Sequence, residues 1–206
     1  MVQISTGKEK PLRRCHTEGD EEKARAFLHL PIYQQVGRKD MEEMGYRNFN
    51  AIRQLGQMGK FSKMRADGTL STSNSALLLL TYMASVTYDW DTEHNCPTAD
   101  AKAKGYPCRY YKRGAETFAY DYGKLGISPE QAMSEDAQEY IEKRKGAANQ
   151  EFKRSITTLK DWGVIKQLEH AKNGKPAGYL LLLGDDEENL AVERWARQCL
   201  NLPMIW

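Results

Sequence analysis

Residues 147–183 read AANQEFKRSITTLKDWGVIKQLEHAKNGKPAGYLLLL. Phe152, Ile156 and Leu159 recur at steps of four and three, which lines them along one side of a helix and turns Gln150, Lys153, Arg154 and Thr157 away from it. Gly163 is the expected stop. Val164 to His170 then reads as a strand, Lys172-Asn173-Gly174-Lys175 as a turn whose Asn-Gly pair accepts positive φ, and Tyr179 to Leu183 as the returning strand. The expectation is a helix over 147–162 and a β-hairpin with a basic tip over 164–183.

Charge is concentrated on the same elements. Residues 143–175 hold nine lysines and arginines against three acids, Glu151, Asp161 and Glu169, in a chain whose net charge is only +2. A cationic helix and hairpin suit a phosphate backbone, because neutralising phosphates releases condensed counterions.

Helix, glycine stop and basic hairpin come in the order of a winged helix-turn-helix. The run Leu159-x-x-x-Gly163-x-Ile165, with the hairpin and aliphatic strand behind it, resembles the recognition helix and wing of bacterial winged-helix DNA-binding proteins, the MarR-like regulators among them. Upstream, an apolar helix ending at Tyr82-Met83 precedes Tyr110-Tyr111-Lys112-Arg113-Gly114-Ala115-x3-Ala119-x3-Gly123. That combination resembles winged-helix proteins of actinobacterial phages and plasmids, some of them replication initiators. The resemblance covers roughly residues 71–183. It departs from compact members of the group at 125–147, where about one further helix is inserted before the recognition helix.

The fold class expected is mainly α with a small β-hairpin wing: a winged helix-turn-helix core over 71–184 with helical extensions at both ends. Residues 1–20, basic at Lys8, Lys10, Arg13 and Arg14 and without periodicity, read as a flexible tail, with an arm along a DNA groove as the alternative. Residues 21–70 read as an N-terminal helical extension. Within it, residues 39–70 suit a helix or helix pair packed on the main domain, with two extended strands around Asp67-Gly68 as the alternative for 59–70. Residues 71–90 read as a helix apolar nearly all round, and 91–107 as a loop. A second helix is expected over 110–122. Ser128-Pro129-Glu130 opens a third, with a break or kink near Gly146. Residues 185–206 read as a C-terminal helix packing on the core or on a second subunit.

Composition is that of an ordinary globular chain, 40% hydrophobic and 28% charged. No apolar run approaches the roughly 18 residues that span a bilayer, and the first residues hold no apolar signal core. A cytoplasmic location without a membrane partner is therefore expected. Cys15, Cys96, Cys108 and Cys199 are widely spaced. His94-x-Cys96 and Cys108, with Cys15-His16, allow a zinc site in principle, but paired Cys-x2-4-Cys knuckles are missing and reduced, unrelated cysteines are the expectation.

The leading functional expectation is sequence-specific binding of double-stranded DNA as a transcriptional regulator, with no cofactor. Gln150 suits adenine, Lys153 and Arg154 suit guanine, and Thr157 a thymine methyl or a phosphate. Lys160 on the helix, Lys172, Asn173 and Lys175 on the wing, and Lys112 and Arg113 opening the second helix complete the candidate contacts. Each residue alone also suits a solvated helix face. A regulator reading paired half-sites implies a homodimer. The rival readings are a replication initiator or accessory protein, and a winged helix that binds only protein. Catalysis finds little support: no Gly-rich phosphate loop, His-Glu-x-x-His or Gly-x-Ser-x-Gly occurs, and Tyr110 and Tyr111 lack a histidine cluster for strand transfer.

Overall fold

The computed structural model describes residues 45–64 and 66–204. The expected tail, the first half of the N-terminal extension, and Cys15 and His16 lie outside them. Helix α1 spans Tyr46–Gln57. Gly45, at φ 83°, starts it where a Cβ would lie 2.6 Å from the Ala84 carbonyl oxygen, so the close approach requires glycine. Glycine offers no capping oxygen. Asp89 supplies one from elsewhere in the chain, accepting from the Arg47 and Asn48 backbone N–H groups at 3.2 and 2.9 Å.

Residues 59–70 take the extended alternative. Strands β1 (Ser62–Met64) and β2 (Leu70–Thr72) pair antiparallel. Asp67 closes their turn by accepting from both the backbone and the hydroxyl of Thr69, and Gly68 takes φ 79°. Helix α2 (Asn74–Ser85), capped by the Ser73 hydroxyl, is shorter than the expected 71–90. Trp90 belongs instead to a strand. The expected loop over 91–107 is more ordered than its composition suggested: β3 (Trp90–Asp91), β4 (Cys96–Pro97) and α3 (Ala99–Lys104) occupy it.

The expected helix over 110–122 is two elements. Tyr110–Tyr111 form β5, because both find partners on a later strand, and only Ala115–Asp121 form helix α4. Short α5 (Pro129–Ala132) opens on a capping box between Ser128 and Gln131. Helix α6 then runs from Ala137 to Asp161 without interruption, so the break expected near Gly146 does not occur. One exposed glycine costs a helix about 1 kcal/mol relative to alanine. The Glu139–Lys143 and Glu142–Lys145 pairs on the flanking turns, and the buried stripe beyond, offset that cost.

Strands β6 (Ile165–Glu169) and β7 (Gly178–Leu181) follow, then α7 (Asp186–Cys199), whose first N–H groups are capped by Asp185. The sheet order is β5-β7-β6, antiparallel throughout. Alternation along β7 sends its side chains to two apolar clusters. Tyr179 and Leu181 join α1, α2, α4 and α6 on one face, and Leu180 joins Trp90, Ala101, Cys108, Val192 and Ala196 on the other. The C-terminal helix thus packs on its own core.

One polar network crosses this interior. Arg109, 1% exposed and at φ 52°, donates from Nε to Asn48 Oδ1 at 2.9 Å and pairs through Nη1 with Glu188 at 2.5 Å. Asn48 in turn donates to Thr87 Oγ1 and the Tyr88 carbonyl. It ties α1, the segment before β5, and α7 to one another. The molecule is therefore mainly α with small antiparallel hairpins, and no helix among the described residues is long and apolar enough to cross a membrane.

Candidate nucleic-acid interface

Helix α6 has two sides of opposite character. Ala148, Phe152, Ser155, Ile156 and Leu159 are buried along one of them. At 100° per residue, Gln150, Arg154 and Thr157 fall on the opposite side with Lys153 at its margin, and all four are exposed. The Thr157 hydroxyl donates to the Lys153 carbonyl at 3.1 Å, as threonine does on a helix surface. Asp161 shares the same side at the C-terminal end and is also exposed.

The turn between β6 and β7 forms as its Asn-Gly pair requires. Asn173 and Gly174 take φ of 52° and 74°, and Lys172 and Lys175 exchange both backbone hydrogen bonds, at 3.2 and 3.0 Å. Two consecutive positive φ values define the hairpin turn whose twist matches the strands. Lys172, Asn173 and Lys175 are all exposed at its tip. Lys160 joins helix to hairpin: its ammonium donates to Gln167 Oε1 at 2.8 Å and stands 5.6 Å from the centre of the Tyr179 ring.

Lys112 and Arg113 are already engaged within the fold. Lys112 pairs with Glu169 at 2.7 Å, and the Tyr110 hydroxyl donates to the same carboxylate oxygen. Lys112, and after it Tyr110, hold the Glu169 carboxyl below its ordinary range. Arg113 donates to Tyr82 Oη at 3.4 Å and lies 3.8 Å from Asp121. Burial, and then the hydrogen bond to Asp121 at 2.5 Å, push the Tyr82 hydroxyl up to about 12. These two cations brace the approach to α4, whereas the outer α6 face and the tip of the β6–β7 hairpin are exposed.

Ion pairing, within α6 and across the fold, also thins the local charge excess. Lys143 meets Glu139, Lys145 meets Glu116 and Glu142, and Lys166 meets Glu193. All four acids lie outside the basic segment in sequence. Among the described residues no salt bridge engages Arg144, Lys153, Arg154, Lys160, Lys172 or Lys175. Glu169 does feel Lys175 electrostatically.

One element beside α6 carried only an open reading in the sequence. Phe61, at the start of the β1–β2 hairpin and 4% exposed, lies 5.2 Å from the Trp162 ring at the end of α6. The Asp67-Gly68 pair was the signal for that hairpin. Its neighbour in space had none.

The other chemistry considered has a plain geometry. Burial pushes the Cys108 thiol up to about 12, away from the thiolate a metal would need, while His94 is exposed and bonded to Asp91. No group of three or more His, Cys, Asp or Glu residues that could hold a metal forms among the described residues. Tyr111 is buried and Tyr110 is bonded to Glu169, and burial raises both hydroxyls above their ordinary value, which disfavours the phenolate a nucleophile requires. No protein-family model, curated protein or solved structure matches the chain, so what the exposed face binds is argued from its geometry and charge.

Proposed function

We propose that the chain is a sequence-specific reader of duplex DNA, built as a winged helix-turn-helix and acting as a transcriptional regulator. The observation that carries this reading is the outward side of α6. There Gln150, Lys153, Arg154 and Thr157 stand together, exposed, with no salt bridge to a described carboxylate. Amide, ammonium and guanidinium groups on one helix face are the donors and acceptors that base edges in a major groove call for.

The succession α2, β5, α4, α6, β6, β7, with β7 central in the sheet, supports the fold half of the proposal, because it is the order a winged helix-turn-helix needs. The two-residue turn at Asn173-Gly174 supports the wing: it presents Lys172 and Lys175 at the tip, where a flanking backbone would be met. Lys112 and Arg113 act in this scheme through Glu169 and Asp121, holding the wing root and α4. Thirteen residues of α6 precede Gln150, so the face meets the groove along the helix rather than at its N-terminus.

The test is selection from a random duplex library, using the wild-type chain and a Gln150→Ala, Lys153→Ala, Arg154→Ala variant at two salt concentrations. The expected result is a motif that the variant loses, with affinity falling about 10³-fold or more between 50 and 200 mM salt for six phosphate contacts. A palindromic motif would add a dimer to the reading. Absence of duplex binding by the wild type at low salt would overturn it and turn the basic face toward an acidic protein partner.

A further inference from the structure

We propose that the β1–β2 hairpin is a second backbone-contacting arm, so that α6 meets duplex DNA between two hairpins. The inference rests on the duplex-binding reading of α6 and assigns a partner to a part of the chain that reading leaves idle.

Helix geometry places the two hairpins on opposite flanks of the exposed stripe. Lys160 leans toward β6 and β7, through Gln167 and the Tyr179 ring. Thr158 precedes it by two residues, about 200° around the axis at 100° per residue. Thr158 and Trp162, one turn apart, face the other way and line an open cleft of about 380 Å³ with Asp161, Lys60, Ser62 and Lys63. Arg154, Thr157 and Asp161 lie between the flanks.

The arm is anchored at its base and free along its length. Phe61 is buried against Trp162, whereas Ser62, Lys63, Met64, Leu70 and Thr72 are exposed. Pairing sets Ser62 opposite Thr72 and Lys63 opposite Ser71, giving hydroxyl and ammonium donors with no carboxylate among them. Asp67, exposed at the tip, accepts from the backbone and hydroxyl of Thr69 and lies beyond the paired strands. Two strands with no third strand paired to either edge are marginal alone. Their hydroxyl and ammonium donors suit phosphate, and Lys60, Ser62 and Lys63 face the cleft that Thr158 of α6 also lines. Asp161 is the one acid lining the cleft, and among the described residues no salt bridge joins it to Lys60 or Lys63. A phosphate seated between the two lysines therefore displaces no internal ion pair.

The test compares Lys60→Ala/Lys63→Ala with Lys153→Ala/Arg154→Ala in the full chain, on a mixed-sequence duplex titrated from 50 to 200 mM salt. For two lost phosphates the arm variant should lower the slope of log affinity against log salt by about 1.8, so its loss over this range is about tenfold smaller than that of the wild type. The weakening should be equal on every sequence, and the hydroxyl-radical footprint should recede at one edge only. Lys60→Arg/Lys63→Arg should keep the wild-type slope, which separates loss of charge from loss of fold. A wild-type slope and footprint in the alanine arm variant, with binding weakened in the α6 variant, would overturn the arm and leave the α6 reading standing. If the wild-type chain binds no duplex at 50 mM, both fall together.

Discussion

Arg109 and Arg154 are the same residue used in opposite ways. Arg109 is buried between α1 and α7, its guanidinium held by Asn48 and Glu188, and the neighbouring Asp89 caps a helix. Arg154 stands on the outer side of α6 and meets no described carboxylate in a salt bridge. A buried cation must be paired because its desolvation is otherwise uncompensated, and the pair then fixes whichever elements supply it. An exposed cation is hydrated, so it holds nothing in place and is available to a partner. The interior charges should therefore govern stability and the outer ones binding, with little crossover.

The strongest way to break that division is to remove the inner arginine. Arg109→Met leaves Glu188 buried without its cation and should cost about 3–5 kcal/mol in chemical denaturation, as loss of one member of a buried pair does. Adding Glu188→Leu should recover most of that loss. Arg154→Ala should stay within about 0.5 kcal/mol of wild type, as surface substitutions do. A loss below about 1 kcal/mol for Arg109→Met would mean that water reaches the pair, against the 1% exposure of Arg109.

A smaller effect is expected where the two regimes meet, at the root of the β6–β7 hairpin. A Cβ at Gly178 would collide with the Tyr110 hydroxyl, which is bonded to Glu169. Gly178→Ala should therefore destabilise by about 1–3 kcal/mol, the usual range for overpacking. Tyr110→Phe in the same background should relieve part of it. A stability equal to wild type would show that β7 shifts freely, and with it the hairpin.

Much of the outer region was legible from local spacing, and much of the inner one was not. Phe152, Ile156 and Leu159 announce their helix within three turns, and Asn173-Gly174 announces its turn within four residues. The start of α7 is legible from Asp185 and the acids behind it. Nothing near Arg109 in the sequence shows that it is buried, because Asn48 and Glu188, its partners, lie far along the chain in both directions. Strand β5 failed for the same reason: Tyr110 and Tyr111 are extended only because Leu180 and Tyr179 are there to pair with. The net charge excess over 143–175 is smaller than the segment alone implies: Glu139 meets it from the preceding turn of α6, and Glu116 and Glu193 reach it only through tertiary contact. Conversely, the local propensity of Gly146 favours a break, and the buried stripe from Ala148 to Leu159 carries α6 past it.

Tyr111 offers an intermediate case inside the core. Its hydroxyl is buried and finds no hydrogen-bond partner among the described residues. Tyr111→Phe removes the unsatisfied group and keeps the ring, whose edge meets Tyr82 with centroids 6.0 Å apart. The variant should gain about 1 kcal/mol, the lower end of what an unpaired buried hydroxyl costs. A clear loss of stability instead would reveal a partner for the hydroxyl in the folded chain.

The smallest effect, and the one with a sign to check, belongs to Lys112 and Glu169. Lys112 is the main cause that lowers the Glu169 carboxyl below 4.5, with Tyr110 second. A carboxyl whose folded value is depressed adds stability that is fully present above its ordinary value and is lost as pH falls through the folded one. Lys112→Met should accordingly be less stable than wild type at neutral pH, by no more than about 1 kcal/mol because the pair is partly solvated. The two proteins should converge in acid, once Glu169 is protonated in both. Carbon-detected titration of the Glu169 side chain should show its midpoint rising toward 4.5 in the variant. A midpoint that does not move would assign the depression to Tyr110 instead, and would return Lys112 to the set of cations left over for a phosphate.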